Sequence, residues 1–174
     1  AQSKPQTPPS SSNLYSLAAN MVNIGINGFG RIGRLVFRVL HQHPAARVVQ
    51  INDLTDAATL AHLLKHDSVH GHFPGTVAAD EDGLTVDGTS IRVSAEADPT
   101  QLDWAAAGAE VVIESTGQFR KREQAAQHLQ AGARKVIISA PASGEVDATV
   151  VLGVNDEQLS ASQEIISNAS CTTN

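Results

Sequence analysis

Six residues constrain what this chain can fold into more than any others: Gly28-Phe29-Gly30-Arg31-Ile32-Gly33. The spacing G-x-G-x-x-G alone is a weak signal in a chain with 13 glycines. Its context makes it strong. The run Val22-Asn23-Ile24-Gly25-Ile26 before it reads as a short buried strand. After it, Ile32, Leu35, Val36, Val39 and Leu40 recur at helical spacing until Pro44 stops the helix. In that setting the first glycine permits a tight turn, the second lets the backbone approach a pyrophosphate, and the third lets helix and strand pack closely. The N–H groups and dipole of the helix start favour the phosphate charge. Asp53 stands 20 residues past Gly33, at the end of a second predicted strand over 47–51. A carboxylate there accepts hydrogen bonds from ribose hydroxyls and repels a 2′-phosphate, which points to NAD rather than NADP. The bland alternative is a glycine turn and a helix-capping Asp. The order strand, turn, helix, strand, acid argues against it.

The rest of the chain continues the alternation. Ala57, Leu60, Leu63 and Leu64 mark a second helical face, and Ala125, Ala126 and Leu129 a third, with Gly132 just past its end. Further strands are expected over 110–114, 135–139, 149–154 and 164–167. Turns at Phe73-Pro74-Gly75, Asp82-Gly83 and Asp87-Gly88 separate short strands over 75–79, 84–86 and 90–94, an antiparallel excursion. Asp98-Pro99 opens a short helix running through Trp104. Strands alternating with helices predict an α/β fold, a Rossmann-type doubly wound, mostly parallel sheet. Ligands of such sheets lie beyond the carboxyl ends of the strands. Here those ends are Asn27, Asn52-Asp53, Ser115-Thr116-Gly117, Ser139-Ala140-Pro141 and Asn168.

Composition narrows the function. The 174 residues carry 12 Lys+Arg against 18 Asp+Glu, a net charge of −6. That balance argues against a nucleic-acid surface, and no apolar run is long enough to span a membrane. One cysteine, Cys171, excludes an intrachain disulfide and a cysteine-rich zinc cage. Residues 1–13 are mostly Ser, Pro, Gln and Thr with no large apolar side chain. They are expected to be disordered, and residues 1–20 are read as an extension preceding the folded part. His62, His66 and His70 follow i, i+4 spacing, but the helix is expected to end near Lys65, so no metal site is assigned. Cys171 lies in Asn168-Ala169-Ser170-Cys171-Thr172-Thr173-Asn174, after a strand and among small polar residues suited to a helix start. A thiol at a helix start is activated as a nucleophile; the alternative is a small buried hydrophobe.

Taken together, these residues resemble a known family. Asn27–Arg34 as a block, Asn52-Asp53-Leu54, His66-Asp67-Ser68-Val69-His70-Gly71, Glu114-Ser115-Thr116-Gly117, Ile138-Ser139-Ala140-Pro141 and the cysteine octapeptide from Ser167 to Asn174 closely resemble phosphorylating glyceraldehyde-3-phosphate dehydrogenase. The match runs in register from Met21 to Asn174. The resemblance implies Cys171 as catalytic nucleophile toward the aldehyde of glyceraldehyde 3-phosphate, with inorganic phosphate releasing the acyl group. It implies NAD as cofactor, with Asn27, Gly28 and Gly30 in the glycine turn and the backbones of Arg31 and Ile32 at the pyrophosphate. It places Asp53 at the adenosine ribose, Thr116 and Gly117 on the path to the nicotinamide, and Ser139 against the cofactor. Ser170 and Thr172 would flank the substrate. The same resemblance implies a cytoplasmic, glycolytic, homotetrameric enzyme, with an organellar address in the extension left open.

Two cousins remain. Erythrose-4-phosphate dehydrogenase shares the cysteine motif, and Asp53 leans the reading toward the glyceraldehyde enzyme. A non-catalytic NAD-binding module is the reading from a different class. Two departures matter. Ala97 stands where the family usually carries a basic residue near the adenine. The family's catalytic domain follows the cysteine motif, so residues 21–168 are expected to form the NAD-binding domain and 169–174 only the start of the next. On that reading the chain alone does not turn over.

Overall fold

The computed structural model describes residues 21–170. The chain alternates as read. Strand β1 (Val22–Asn27) leads through the glycine turn into helix α1 (Arg31–His41), then β2 (Ala46–Asn52) and α2 (Ala57–Lys65). A two-residue hairpin, β3 (His66–Asp67) and β4 (Gly71–His72), follows. Then come β5 (Val77–Ala79), β6 (Gly83–Val86), β7 (Thr89–Ser94), β8 (Val111–Glu114), α3 (Arg122–Gln130), β9 (Lys135–Ile138), β10 (Ala148–Val150) and β11 (Ile165–Asn168).

The main sheet runs β10-β11-β9-β8-β1-β2-β7-β6-β5. All neighbours from β10 to β7 are parallel; only β7-β6 and β6-β5 are antiparallel. The central order β7-β2-β1-β8-β9-β11 is the 3-2-1-4-5-6 winding of a Rossmann sheet. Chain direction across the sheet reverses between β1 and β8, and that is where a crevice must open. The excursion over β5, β6 and β7 is therefore a meander grafted onto the third strand, with β7 serving both sheet senses. The Asp87-Gly88 turn joining β6 to β7 has φ of +48° and +78°, the positive pair that a tight two-residue hairpin requires.

Alternation along β1 sorts the core. Ile24 and Ile26 pack with Phe37, Leu60 and Leu64 of the first two helices. Gly25 faces the opposite side, where a Cβ would lie 2.7 Å from the Trp104 ring. Trp104, Val112 and Ala133 pack there, beside a third cluster of Ala125, Val136 and Ile165.

Three readings need correction. The buried face of α1 is Gly33 and Phe37, with Val36 and Leu40 beside it; Val39 is 68% exposed and Ile32 lies at the open helix start. The periodic pattern hid this because an adjacent apolar stripe offered the same spacing. The helix expected through Trp104 is a single 3-10 turn, Pro99–Gln101, since Trp104 must leave the helix to reach its pocket. The strand expected over 149–154 stops at Val150. Beyond it Asn155 draws the Val151 N–H into a turn at 2.8 Å, and Leu152 is 80% exposed. The readings on residues 1–20, Cys171 and Thr172 lie outside the described residues.

Asp147 closes the far edge of the sheet. Its Oδ2 accepts the N–H groups of Glu164 and Ile165 at 2.9 and 3.0 Å, and its Oδ1 accepts Arg122 Nε at 2.9 Å. Burial works against its charge, but the two N–H groups and the guanidinium outweigh it and hold the carboxyl below its ordinary value. A carboxyl depressed in the folded state contributes in full above the unfolded value of about 4 and is lost as pH falls through its folded value. Asp147→Ala should therefore cost about 2 kcal/mol at neutral pH. Denaturant unfolding of wild type and variant checks this. The gap should close when both are measured in acid below the folded-state value.

Candidate functional site

A cleft of about 310 Å³ opens where the topology requires. Its lining comes from the carboxyl ends of β1, β2 and β8 and from the segment after β7: Asn27, Gly28, Gly30, Asn52, Asp53, Leu54, Glu96, Ala97, Ser115, Thr116, Gln118 and Phe119. Of the residues picked from the sequence, Asn27, Gly28, Gly30, Asp53 and Thr116 meet in it. Ala97, the position expected near an adenine, lines the same cleft as Asp53. Gly117 is exposed on the turn between Thr116 and Gln118, with φ +75° and open space around it. Ser139 follows β9, with its N–H donating to the Glu114 carbonyl at 3.0 Å, and does not line the cleft. Ser170 is half-buried just beyond β11.

The three glycines have three separate reasons to be glycine. Gly28 has φ +89°, and a Cβ on it would sit 2.7 Å from the Thr116 nitrogen. A Cβ on Gly33 would lie 2.1 Å from the Gly28 carbonyl oxygen. A Cβ on Gly30 would meet nothing within 4 Å. Gly30 is also the N-cap of α1 and has no side chain to cap it, so the first helical N–H groups, beginning with those of Arg31 and Ile32, have no side-chain partner. Open space over uncapped N–H groups is what an anionic diphosphate needs.

Asp53 joins this turn to β2. Its Oδ2 accepts the Phe29 N–H at 2.7 Å and its Oδ1 the Thr55 N–H at 2.9 Å. Each oxygen keeps a lone pair for a ribose hydroxyl. Asp53→Ala should weaken NAD binding about tenfold and narrow the preference for NAD over NADP, because the repulsion toward a 2′-phosphate goes with it. Titrating the variant with both dinucleotides reads both effects.

Asn27 was expected at the cofactor, yet its side chain is turned into the protein. It is 2% exposed, donates from Nδ2 to Glu114 Oε2 at 2.6 Å, and accepts at Oδ1 from Asn52 at 2.8 Å. Thr116 is similar. Its hydroxyl donates to Glu114 Oε1 and accepts the Gln118 N–H at 3.1 Å, so what remains for the cleft is its methyl face. Sequence reasoning placed Ser115 at a strand end without a role; its hydroxyl reaches the Gly28 carbonyl at 2.6 Å and so ties β8 to the glycine turn. Sequence reasoning missed the side chains of Glu114 and His128 beneath the cleft. A signal was available: Glu114 ends an otherwise apolar strand, Val-Val-Ile-Glu, and a carboxylate buried there demands partners.

His66 and His72 face each other across the small hairpin, Nδ1 to Nδ1 at 3.1 Å, with the His62 ring 4.7 Å from that of His66. Among the described residues no group of three or more His, Cys, Asp or Glu is placed to hold a metal ion. Among them, too, no helix is long and apolar enough to cross a membrane.

The winding order, the open diphosphate cradle and the acid at the end of β2 define a dinucleotide-binding domain of the NAD type. Residues 22–122 match the family described as glyceraldehyde 3-phosphate dehydrogenase, NAD binding domain. The chain belongs to that family, and its cofactor is NAD. It is 60% identical over 156 residues to the glyceraldehyde-3-phosphate dehydrogenase of Thermotoga maritima, covering 88% of this chain and 46% of that protein. Identity is 58% over 154 residues to glyceraldehyde-3-phosphate dehydrogenase 1 of Bacillus subtilis. It is 56% over 156 residues to the Pseudomonas aeruginosa enzyme. Both alignments cover the same shares, 88% of this chain and 46% of the relative, so the chain spans about half the length of the curated relatives it matches.

Proposed function

We propose that this chain is the cofactor-binding part of a phosphorylating glyceraldehyde-3-phosphate dehydrogenase. The observation that carries the reading is the cleft itself: an open glycine cradle and an acid at the end of β2, within a chain that continues to a single cysteine three residues past the last sheet strand. Arg31 and Ile32 offer their N–H groups to the diphosphate, Asp53 accepts from the adenosine ribose, and the turn carrying Thr116 and Gly117 shapes the nicotinamide side. Ser139, outside the cleft lining, contacts the cofactor where it extends beyond that turn. Bound NAD supplies the hydride acceptor.

Cys171, as thiolate, adds to the aldehyde carbon of glyceraldehyde 3-phosphate and its S–C bond forms a thiohemiacetal. That carbon loses its hydride and the hydroxyl its proton, leaving a thioester on Cys171. Inorganic phosphate then attacks the acyl carbon, the S–C bond breaks, and 1,3-bisphosphoglycerate leaves. Ser170 and Thr172 flank the substrate beside the sulfur. The reading further holds that the complete protein is a cytoplasmic homotetramer and that turnover needs groups supplied by a catalytic domain.

NADH formation tests it. The complete protein bearing this sequence, given NAD, phosphate and glyceraldehyde 3-phosphate, should absorb at 340 nm; omitting phosphate should slow steady-state turnover. Faster turnover of erythrose 4-phosphate would transfer the reading to the cousin enzyme. NAD binding with no turnover of either sugar phosphate would leave a binding module.

A further inference from the structure

The strongest unassigned feature is the polar chain buried beneath the cleft. Glu114 and His128 have side chains with no solvent exposure, and Trp104 is equally buried. Trp104 Nε1 donates to His128 Nδ1 at 3.1 Å, and His128 Nε2 lies 3.0 Å from Glu114 Oε2. The same oxygen takes Asn27 Nδ2 at 2.6 Å. The other oxygen, Oε1, takes the Thr116 N–H at 2.8 Å and the Thr116 hydroxyl. On the β2 side Asn52 Nδ2 donates to Asn27 Oδ1 at 2.8 Å, while Asn52 Oδ1 accepts the Ser94 hydroxyl and the Glu96 N–H, each at 2.9 Å.

The imidazole tautomer and the amide orientations in this chain are fixed by donors that can only donate. An indole N–H can only donate, so His128 Nδ1 must carry a lone pair. The single ring proton then sits on Nε2 and points at Glu114. A backbone N–H can only donate, so Asn52 Oδ1 is the acceptor for Glu96, its Nδ2 is the donor to Asn27, and Asn27 in turn donates to Glu114. Glu114 therefore takes the Thr116 N–H on one oxygen and Asn27 Nδ2 and the His128 Nε2–H on the other, and His128 carries its single ring proton on Nε2.

We propose that Glu114 is the positioning residue of the cofactor cleft. One carboxylate oxygen holds the Thr116 turn at the end of β8. The other holds the ends of β1 and β2 through Asn27 and Asn52, with His128 locked as the Nε2–H tautomer behind it. The inference rests on the cofactor reading of the cleft and adds what fixes its shape. Three strand ends that carry the cradle, the ribose acid and the nicotinamide-side turn converge on a single buried carboxyl group. Glu114 itself is buried and does not line the cleft.

Glu114→Gln tests it with little change of shape. Its one carbonyl can serve Thr116 or the Asn27/His128 pair, and its amide then faces donors on the other side. The folded variant should bind NAD at least about tenfold more weakly. The double variant Asn27→Asp with Glu114→Gln moves the carboxyl group one residue along the chain. The amide at position 114 then accepts from Thr116 and donates to the new carboxyl at position 27, which accepts from Asn52 and takes over the His128 Nε2–H, 3.4 Å from that position in wild type. It should recover NAD affinity to within about threefold, a smaller gap than one lost hydrogen bond produces. The ¹⁵N shifts of His128 should report a bare Nδ1 and a protonated Nε2 in wild type and in the double variant.

Unchanged NAD affinity in Glu114→Gln overturns the proposal, as does an Nδ1–H tautomer in wild type. If the single variant does not fold, the double variant decides, and its failure to restore both fold and affinity overturns the proposal. Failure of the wild type to bind NAD would instead overturn the cofactor reading.

Discussion

Gly33→Ala should abolish measurable NAD binding and destabilise the fold by about 3 kcal/mol, at the upper end for one added methyl in a packed site. The new Cβ would lie 2.1 Å from the Gly28 oxygen, 3.1 Å from the Gly28 carbonyl carbon and 3.1 Å from Ser115 Oγ. The nearest of these is backbone and cannot swing away. It is also pinned, since Gly28 donates its N–H to the Asn52 carbonyl at 2.8 Å and accepts the Ser115 hydroxyl at 2.6 Å. The strain must therefore push α1 off the sheet, and the N–H groups at its start move with it. Gly30→Ala is the informative control. Nothing lies within 4 Å of its Cβ and the backbone there is already at φ −68°, so stability should stay within about 1 kcal/mol of wild type. The methyl still projects into the space over the helix start. Equal stability with weakened NAD binding separates the two glycines by melting curve and titration. A Gly33→Ala protein as stable as wild type would refute the close-packing argument.

Cys171→Ser in the complete protein should lower NADH formation from glyceraldehyde 3-phosphate at least about 10³-fold. A hydroxyl is a far weaker nucleophile than a thiolate near neutral pH, and an ester in place of a thioester resists attack by phosphate. NAD affinity should hardly change, because the cradle and Asp53 lie on elements remote in sequence from Cys171. The pair of readouts, turnover and NAD titration, distinguishes a lost nucleophile from a lost fold. Retained turnover would remove Cys171 from the mechanism proposed above.

The doubly wound, mostly parallel fold was legible in the sequence because apolar runs and helical patterns alternate from Val22 to Ile166 around one antiparallel excursion, and Asp53 stands just past the second strand. What escaped was set by direction rather than by type. Periodicity marks which positions on α1 are apolar, but two overlapping stripes fit, and only the position of the sheet selects Phe37 over Val39. Val151-Leu152-Gly153-Val154 has the composition of a strand. Asn155 captures the Val151 N–H at 2.8 Å, and that local competitor is invisible to a hydrophobic pattern. At the site, the motif marked Asn27 and Thr116, and both line the cleft. It did not show that their polar atoms face inward, because the residue they serve, Glu114, acts on the cleft only through them.

Trp104 is the single tryptophan of these 174 residues and lies fully out of solvent, with its indole N–H at the end of the chain that begins at the Thr116 turn. Trp104 is thus an optical gauge within these residues. Its emission senses water entering the core. It also senses any change in the imidazole beside it, with the ring centroids 5.9 Å apart. A dinucleotide settling against Thr116 is three hydrogen-bonded contacts from that fluorophore without touching it. Occupancy of the cleft and integrity of the fold can therefore be followed in one cuvette, with no label attached.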